Sequence, residues 1–269
     1  MCVSGGAHTH YSNSSLHGLT IYLEKKLNSD AMRTNIIAYY RKHDLFSGYL
    51  TTDKRRVKQL LRLYTSNKRY FGRRVLDIAC GGGVLGLIVE REGRSYTGVD
   101  VNPDMLSSAR AYAKEVGSRN RFIKGDVTKM KIEGNFDTIC LLGNALCHFS
   151  THDFSRILQN TDSHSERGAY FIVDYRDIVR LMFDKKWNIK KRLVERERGR
   201  IRMTKGCDTR TGFVLVTTTD LHGNKEVGFA HAIWSPFIIA PIMNNHRWSL
   251  VTRRFSKRWS GWLDVYRRT

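Results

Sequence analysis

The stretch VLDIACGGGVLG, residues 75–86, decides the fold. RRVLDIA (73–79) is a short apolar run that stops at a glycine-rich turn, and VLGLIVERE (84–92) has helical periodicity. A strand, a tight turn and a helix therefore follow one another without a gap. Outward from this unit the rhythm repeats. SYTGVD (95–100) reads as a second strand. Asn102 then Pro103 form an N-cap with proline at the first helical position, opening a helix that runs through Val116. RFIKGD (121–126) and FDTICLLG (136–143) are the third and fourth strands. HDFSRILQN (152–160) is a helix and AYFIVDY (169–175) a fifth strand. Alternating strands and helices imply an α/β protein with a mostly parallel sheet and helices on both faces.

The flanks differ. Residues 53–65 place Val57, Leu60, Leu61 and Tyr64 on one face of an amphipathic helix. Residues 31–46 read as a short helix, and the polar, Ser/Gly/His-rich residues 1–29 as a flexible tail ahead of a domain spanning 30–269. Past residue 184, segments 187–205, 212–220 and 226–234 read as strands parted by Gly- or Asn-containing turns. They form an expected antiparallel insertion, 185–234, making a substrate-side lobe. A proline-started helix (235–243) and a terminal hairpin (248–255 with 261–268) complete the chain.

Composition narrows the setting. The 269 residues are 41% hydrophobic and 26% charged, which excludes wholesale disorder. Cys2, Cys80, Cys140, Cys147 and Cys207 include no C-x-x-C pair, so a disulfide framework and a zinc ribbon are disfavoured and no metal is expected. A reducing cytoplasm fits best. The apolar run 232–243 is too short to span a bilayer, and the N-terminus lacks the features of a signal peptide. The net charge of +21 is the outlier. Residues 185–202 hold nine basic and two acidic residues, a face suited to an anionic partner such as RNA, or simply a solvated one.

Gly81, Gly83 and Gly86 satisfy G-x-G-x-x-G between a strand and a helix, and Asp100 follows about 20 residues on, where a ribose-binding carboxylate would sit. Asp77 selects among ligands. A carboxylate beside the loop opposes a pyrophosphate but suits the cationic methionine end of S-adenosylmethionine (SAM). Asp100 suits the ribose diol as a two-oxygen acceptor.

These residues resemble the class I SAM-dependent methyltransferases over roughly 50–183 and the terminal hairpin. DIACGGG is similar to that family's D/E-x-G-x-G-x-G loop, with Ala79 in place of the first glycine. GVDVNPDML (98–106) and GDV (125–127) resemble its next two strand ends. The resemblance implies a Rossmann-like sheet with an antiparallel terminal strand, SAM as methyl donor and S-adenosylhomocysteine as product. It also implies cofactor contacts at Arg55, Asp77, Ala79, Gly81, Gly83, Asp100, Val101, Met105, Asp126, Val127 and Leu142. Asp100 would hold the ribose, Met105 and Asp126 the adenine, and Arg55 the methionyl carboxylate.

CLLGNALCHF (140–149) has no Asn/Asp-Pro-Pro-aromatic run, which argues against a base exocyclic amine as acceptor. With VDYRD (173–177) it resembles the glycine N-methyltransferase group and, more loosely, amino-sugar N-methyltransferases. That implies an amine on a small, carboxylate-bearing molecule. Asn144 and Arg176 would hold the carboxylate, and His148 would line the transfer pocket. A tyrosine from Tyr39, Tyr40 or Tyr49 would close the site. Two other readings stand beside this one: an RNA (tRNA or rRNA) methyltransferase using the basic insertion, and a non-catalytic SAM- or nucleic-acid-binding module.

Overall fold

A computed structural model describes residues 53–184, 193–195, 200–208, 212–220, 227–257 and 260–269. The expected tail 1–29, the helix 31–46, Tyr39, Tyr40, Tyr49 and much of 185–202 lie outside the described residues.

The first described helix, α1 (Lys54–Asn67), opens on Asp53, whose carboxylate accepts from the amides of Arg55 and Arg56. The main sheet then builds from β1 (Arg74–Ile78), β2 (Ser95–Asp100), β3 (Arg121–Lys124), β4 (Phe136–Leu141) and β5 (Ser165–Arg176), all parallel. Between them run α2 (Val84–Glu90), α3 (Pro103–Glu115) and α4 (Thr151–Asp162). Asn102 caps α3 through its side chain and Pro103 opens it, as the Asn-Pro pair implies.

After β5 come a short α5 (Ile178–Phe183), strands β6 (Leu193–Glu195), β7 (Arg200–Asp208), β8 (Phe213–Asp220) and β9 (Val227–Ala232), then α6 (Pro236–Asn245). The strands β10 (Trp248–Ser256) and β11 (Gly261–Arg268) return to the main sheet as a hairpin. The order there is β10-β11-β5-β4-β1-β2-β3, with β11 antiparallel to β5. The four strands β6–β9 form a second, antiparallel sheet.

Strand alternation sorts the core into two layers. Leu76 and Ile78 of β1 face one layer with Ile139, Phe154, Phe171 and Trp234, while Val75 faces the other with Leu60, Val84 and Leu85. The chain winds β1-β2-β3 toward one edge and β4-β5 toward the other. Their divergence leaves a crevice beyond the carboxyl ends of β1 and β4.

Two elements escape the sequence pattern. α5 spans six residues, too few for a periodic signal, and starts because the Asp177 side chain accepts from the Arg180 amide. β5 extends past its apolar run at both ends, because it pairs with β4 on one side and β11 on the other.

The hairpin is locked to β5 through Asp264, a fully buried carboxylate. It accepts from Arg253 Nε and Nη2 (2.8 and 2.7 Å), Tyr175 Oη (2.8 Å) and Tyr266 Oη (3.1 Å). Removing one member leaves the others desolvated without a counterpart. Asp264→Ala should lower the unfolding free energy by about 3–5 kcal/mol in urea titration. A loss of under about 1 kcal/mol, the size of an exposed pair, would contradict this.

Candidate functional site

The loop after β1 is shaped from within. Ala79, Gly81 and Gly83 all have positive φ (55°, 55° and 72°). Ala79 thus holds a left-handed conformation at a cost of roughly 1–2 kcal/mol that a glycine would avoid. The amide of Gly83 donates to Cys80 O (3.1 Å) and that of Gly86 to Gly83 O (3.0 Å). At Gly83 a Cβ would lie 2.4 Å from the Phe122 ring. Its role is close packing, and it is not among the residues that line the cleft.

Asp100, at the end of β2, accepts from the Gly81 amide through Oδ2 and from the Asn102 amide through Oδ1, each at 2.8 Å. Burial raises its pKa and these amides oppose the rise. The carboxylate is thereby held rigid at the cleft. Asp126, after β3, is fixed by Thr128, whose amide and hydroxyl donate to Oδ1 at 3.0 and 2.8 Å. Val101, Met105, Val127 and Leu142 line the same cleft.

Asp77 points into the cleft from β1 and is buried. Burial pushes its carboxyl up to about 7, opposed by the Tyr96 hydroxyl (2.8 Å) and by the charge of Arg56. The cation of α1 in the cleft is Arg56, not Arg55. Arg56 stands four residues before the buried Leu60 and shares its inward face, whereas Arg55 is turned about 100° away. The Arg55 side chain is 77% exposed and faces Asp53. Arg56 lies over Gly143, where a Cβ would be 2.7 Å from Nη2. Behind it the buried Asp174 also attracts it.

The end of β4 departs from expectation. Asn144 is left-handed (φ 60°). Its amide donates to Asp174 Oδ1 (2.7 Å), and its side-chain oxygen accepts from the Arg176 amide (2.9 Å). It clips the ends of β4 and β5 together. Neither Asn144 nor Arg176 is among the cleft-lining residues, so the expected carboxylate grip is not assembled there.

His148 does line the cleft, at the end of a 3-10 turn (Ala145–His148). Burial pushes its imidazole down to about 4, so it is neutral at physiological pH. Sequence reading missed Arg56, Leu60 and Phe149 as cleft residues. Only Arg56 left a signal, its i, i+4 spacing to the apolar face.

The cleft encloses about 1200 Å³ of empty space, its open mouth included. One end offers a guanidinium beside a carboxylate, the match for an amino-acid zwitterion. The other offers two fixed carboxylates over an apolar floor, the match for a ribose and a flat base. The amide of Gly81 is already bound by Asp100 and those of Cys80, Gly83 and Gly86 by backbone, which leaves a pyrophosphate fewer donors, and the Asp77 carboxylate beside the loop opposes its charge. SAM, which has no phosphate, suits this donor and acceptor set.

Comparison with known proteins agrees. Residues 75–168 match the family described as "Methyltransferase domain". A ubiquinone biosynthesis O-methyltransferase of Vibrio cholerae is 44% identical over 57 residues, 21% of this chain and 23% of that protein. The chain thus spans about a quarter of the length of such curated relatives. Among solved structures, a SAM-dependent methyltransferase from Clostridium acetobutylicum superposes with TM-score 0.62 at 15% identity, covering 94% of this chain and 99% of that one. SAM-bound CalS10, an amino pentose methyltransferase from Micromonospora echinaspora, gives 0.55 at 15% identity over 86% and 97%. At these identities the likeness is one of fold. Residues 75–168 thus match a methyltransferase-domain family, and the chain has the Rossmann-like fold of solved SAM-dependent methyltransferases.

Proposed function

We propose that this protein transfers a methyl group from SAM to an amine of a small molecule, in the cleft between β1 and β4. The observation that carries the reading is the pairing of Arg56 with Asp77 in the same cleft as Asp100 and the neutral His148. Bound SAM supplies an electrophilic methyl on a sulfonium. Arg56 would take its carboxylate and Asp77 its ammonium. Asp100 would accept from the ribose hydroxyls and Asp126 from the adenine amino group, with Met105 against the ring. His148 stands at the mouth of β4, where the acceptor would approach.

His148 separates the acceptor chemistries. With a pKa near 4 it is a weak base. Taking a proton from a phenol of pKa about 10 would cost about 8 kcal/mol. Accepting a hydrogen bond from a neutral amine costs no proton transfer and aims the nitrogen lone pair at the methyl. The CLLGNALCHF run, which resembles amine methyltransferases, points the same way. The proposal does not include a carboxylate on the acceptor, because neither Asn144 nor Arg176 is among the cleft-lining residues. A second reading, methylation of a hydroxyl, is favoured by the O-methyltransferase relatives.

Labelled SAM offered with amino acids, amino sugars, polyamines and catechols tests the proposal. Label should enter an N-methyl product, and Asp100→Ala should weaken SAM binding by about 100-fold, the loss of two charge-assisted hydrogen bonds. Label confined to O-methyl products would establish the second reading. Absence of SAM binding in calorimetry would overturn both.

The two arginines make a sharper test of register. Arg56→Ala should weaken SAM about tenfold, the loss of a charged hydrogen bond, and Arg55→Ala should leave it unchanged. The reverse pattern would put Arg55 back at the site.

A pH dependence follows from Asp77. Its pKa of about 7 means that it is ionised above neutrality and protonated below. A bound ammonium would lower that pKa, so SAM binding should release a proton below pH 7. Affinity should fall toward tenfold per pH unit from about pH 7 to about pH 5. Asp77→Asn should bind more weakly and flatten the profile. A wild-type affinity constant over this range would refute the role of Asp77.

A further inference from the structure

Helix α1, KRRVKQLLRLYTSN, contains no Asp or Glu. It buries Leu60 and Tyr64 against the sheet. Lys54, Lys58 and Arg62 are exposed and spaced i, i+4, i+8, which sets them in one outward row about 12 Å long. Among the described residues no carboxylate pairs with any of the three. The row runs into an open groove between the end of α1 and β10, lined by Thr65, Ser66, Lys68, Arg69, Thr252 and Arg254. Lys68 is paired with Glu92 at 2.5 Å. The two arginines are held by uncharged partners instead. Arg254 Nη2 donates to Asn67 Oδ1 (2.5 Å), and the buried Asn67 is itself fixed by donating from Nδ2 to Leu63 O (2.7 Å). Arg69 Nη2 donates to the hydroxyl of the buried Tyr70 (2.7 Å).

A neutral partner orients a guanidinium without cancelling its charge, and each fork keeps N–H donors beyond the one it spends. The Thr65 hydroxyl is turned back on Leu61 O (2.8 Å), whereas those of Ser66 and Thr252 make no hydrogen bond with the described residues. Oriented guanidiniums beside free hydroxyls are the donor set that grips phosphate oxygens. We propose that the outward row of α1, with the groove where α1 meets β10, is a docking surface for the phosphate backbone of a nucleic acid. Successive cations of the row stand about 6 Å apart along the helix, near the spacing of every second phosphate on a duplex strand, about 7 Å. The row carries no aromatic side chain on which a base could stack, so binding follows the backbone and not the base sequence. A membrane surface fits less well. α1 spends its apolar face on the core and shows Leu61 as its one large exposed apolar side chain, which leaves it no face to lay into a bilayer. Arg56 and Leu60, on the inner face of the same helix, line the cleft. The strand therefore lies outside the cofactor site, one helix away, and its binding does not depend on the methyl-transfer reading.

A net charge of +21 attracts any polyanion, so the test asks where binding occurs and not merely whether it does. The full chain is titrated into a fluorescein-labelled RNA oligonucleotide of mixed sequence, and anisotropy is read from about 50 to about 200 mM salt. The logarithm of affinity should fall linearly with the logarithm of salt concentration. Two variants remove two charges each from the proposed surface: Lys58→Gln with Arg62→Gln in the row, and Arg69→Gln with Arg254→Gln in the groove. Each should weaken binding about tenfold and lower the salt slope by about 1.5–2. A charge-matched control, Lys114→Gln with Lys131→Gln, changes exposed residues on α3 and in the loop after β3. It should stay within about twofold of the wild type. The row variant alters exposed side chains only, so it decides the matter should the groove variant fail to fold. Phosphatidylserine vesicles and polyglutamate are offered in parallel. Equal losses in the control and the surface variants, an RNA affinity indifferent to the surface variants, or binding of vesicles or polyglutamate but not of RNA, each overturns the proposal.

Discussion

The site depends on one interaction, the capture of the Gly81 amide by the Asp100 carboxylate. It ties the loop after β1 to the end of β2, and the second oxygen of Asp100 secures the turn into α3 through Asn102. Three backbone segments are thereby fixed around one carboxylate. The same bond takes one loop amide away from any phosphate.

Charge acts in opposite senses outside and inside the molecule. The chain carries a net +21, yet among the described residues the cleft is lined by Asp77, Asp100 and Asp126 against the guanidinium of Arg56, with Asp174 just behind. A sulfonium cation leaving water would therefore meet a locally acidic wall. Burial raises the pKa of Asp77, so part of that attraction depends on pH near neutrality. Arg56 stands near two buried carboxylates, Asp77 and Asp174, and under the proposed function would give the same wall a seat for the ligand's own carboxylate.

The Asn144 clip and the 3-10 turn after it show how the acceptor end is built. Left-handed residues at Gly143 and Asn144 turn the chain sharply out of β4. Asp174 and the Arg176 amide pin that turn to β5. His148 follows at once, pressed against the second sheet. The acceptor side thus rests on contacts between strands far apart in sequence, whereas the cofactor side rests on loops close to each other.

That difference marks what could be read from the chain alone. Strand β1, its glycine turn, the Asn102-Pro103 start of α3 and the terminal hairpin were legible, because each is dictated by local periodicity, capping or backbone freedom. Asp77, Asp100, Asp126 and Met105 fell in the cleft as expected, because they sit at strand ends or helix starts whose position follows from the winding of the sheet. The choice of Arg56 over Arg55 required the angle of α1 against the sheet. The fate of Asn144 required the meeting of β4 with β5, and the contact of His231 with Cys147 required the docking of a second sheet 84 residues on. Local sequence sets which backbone shapes are cheap. Only the packed tertiary structure decides which side chain a shape is spent on, since that choice depends on partners the chain brings together from a distance.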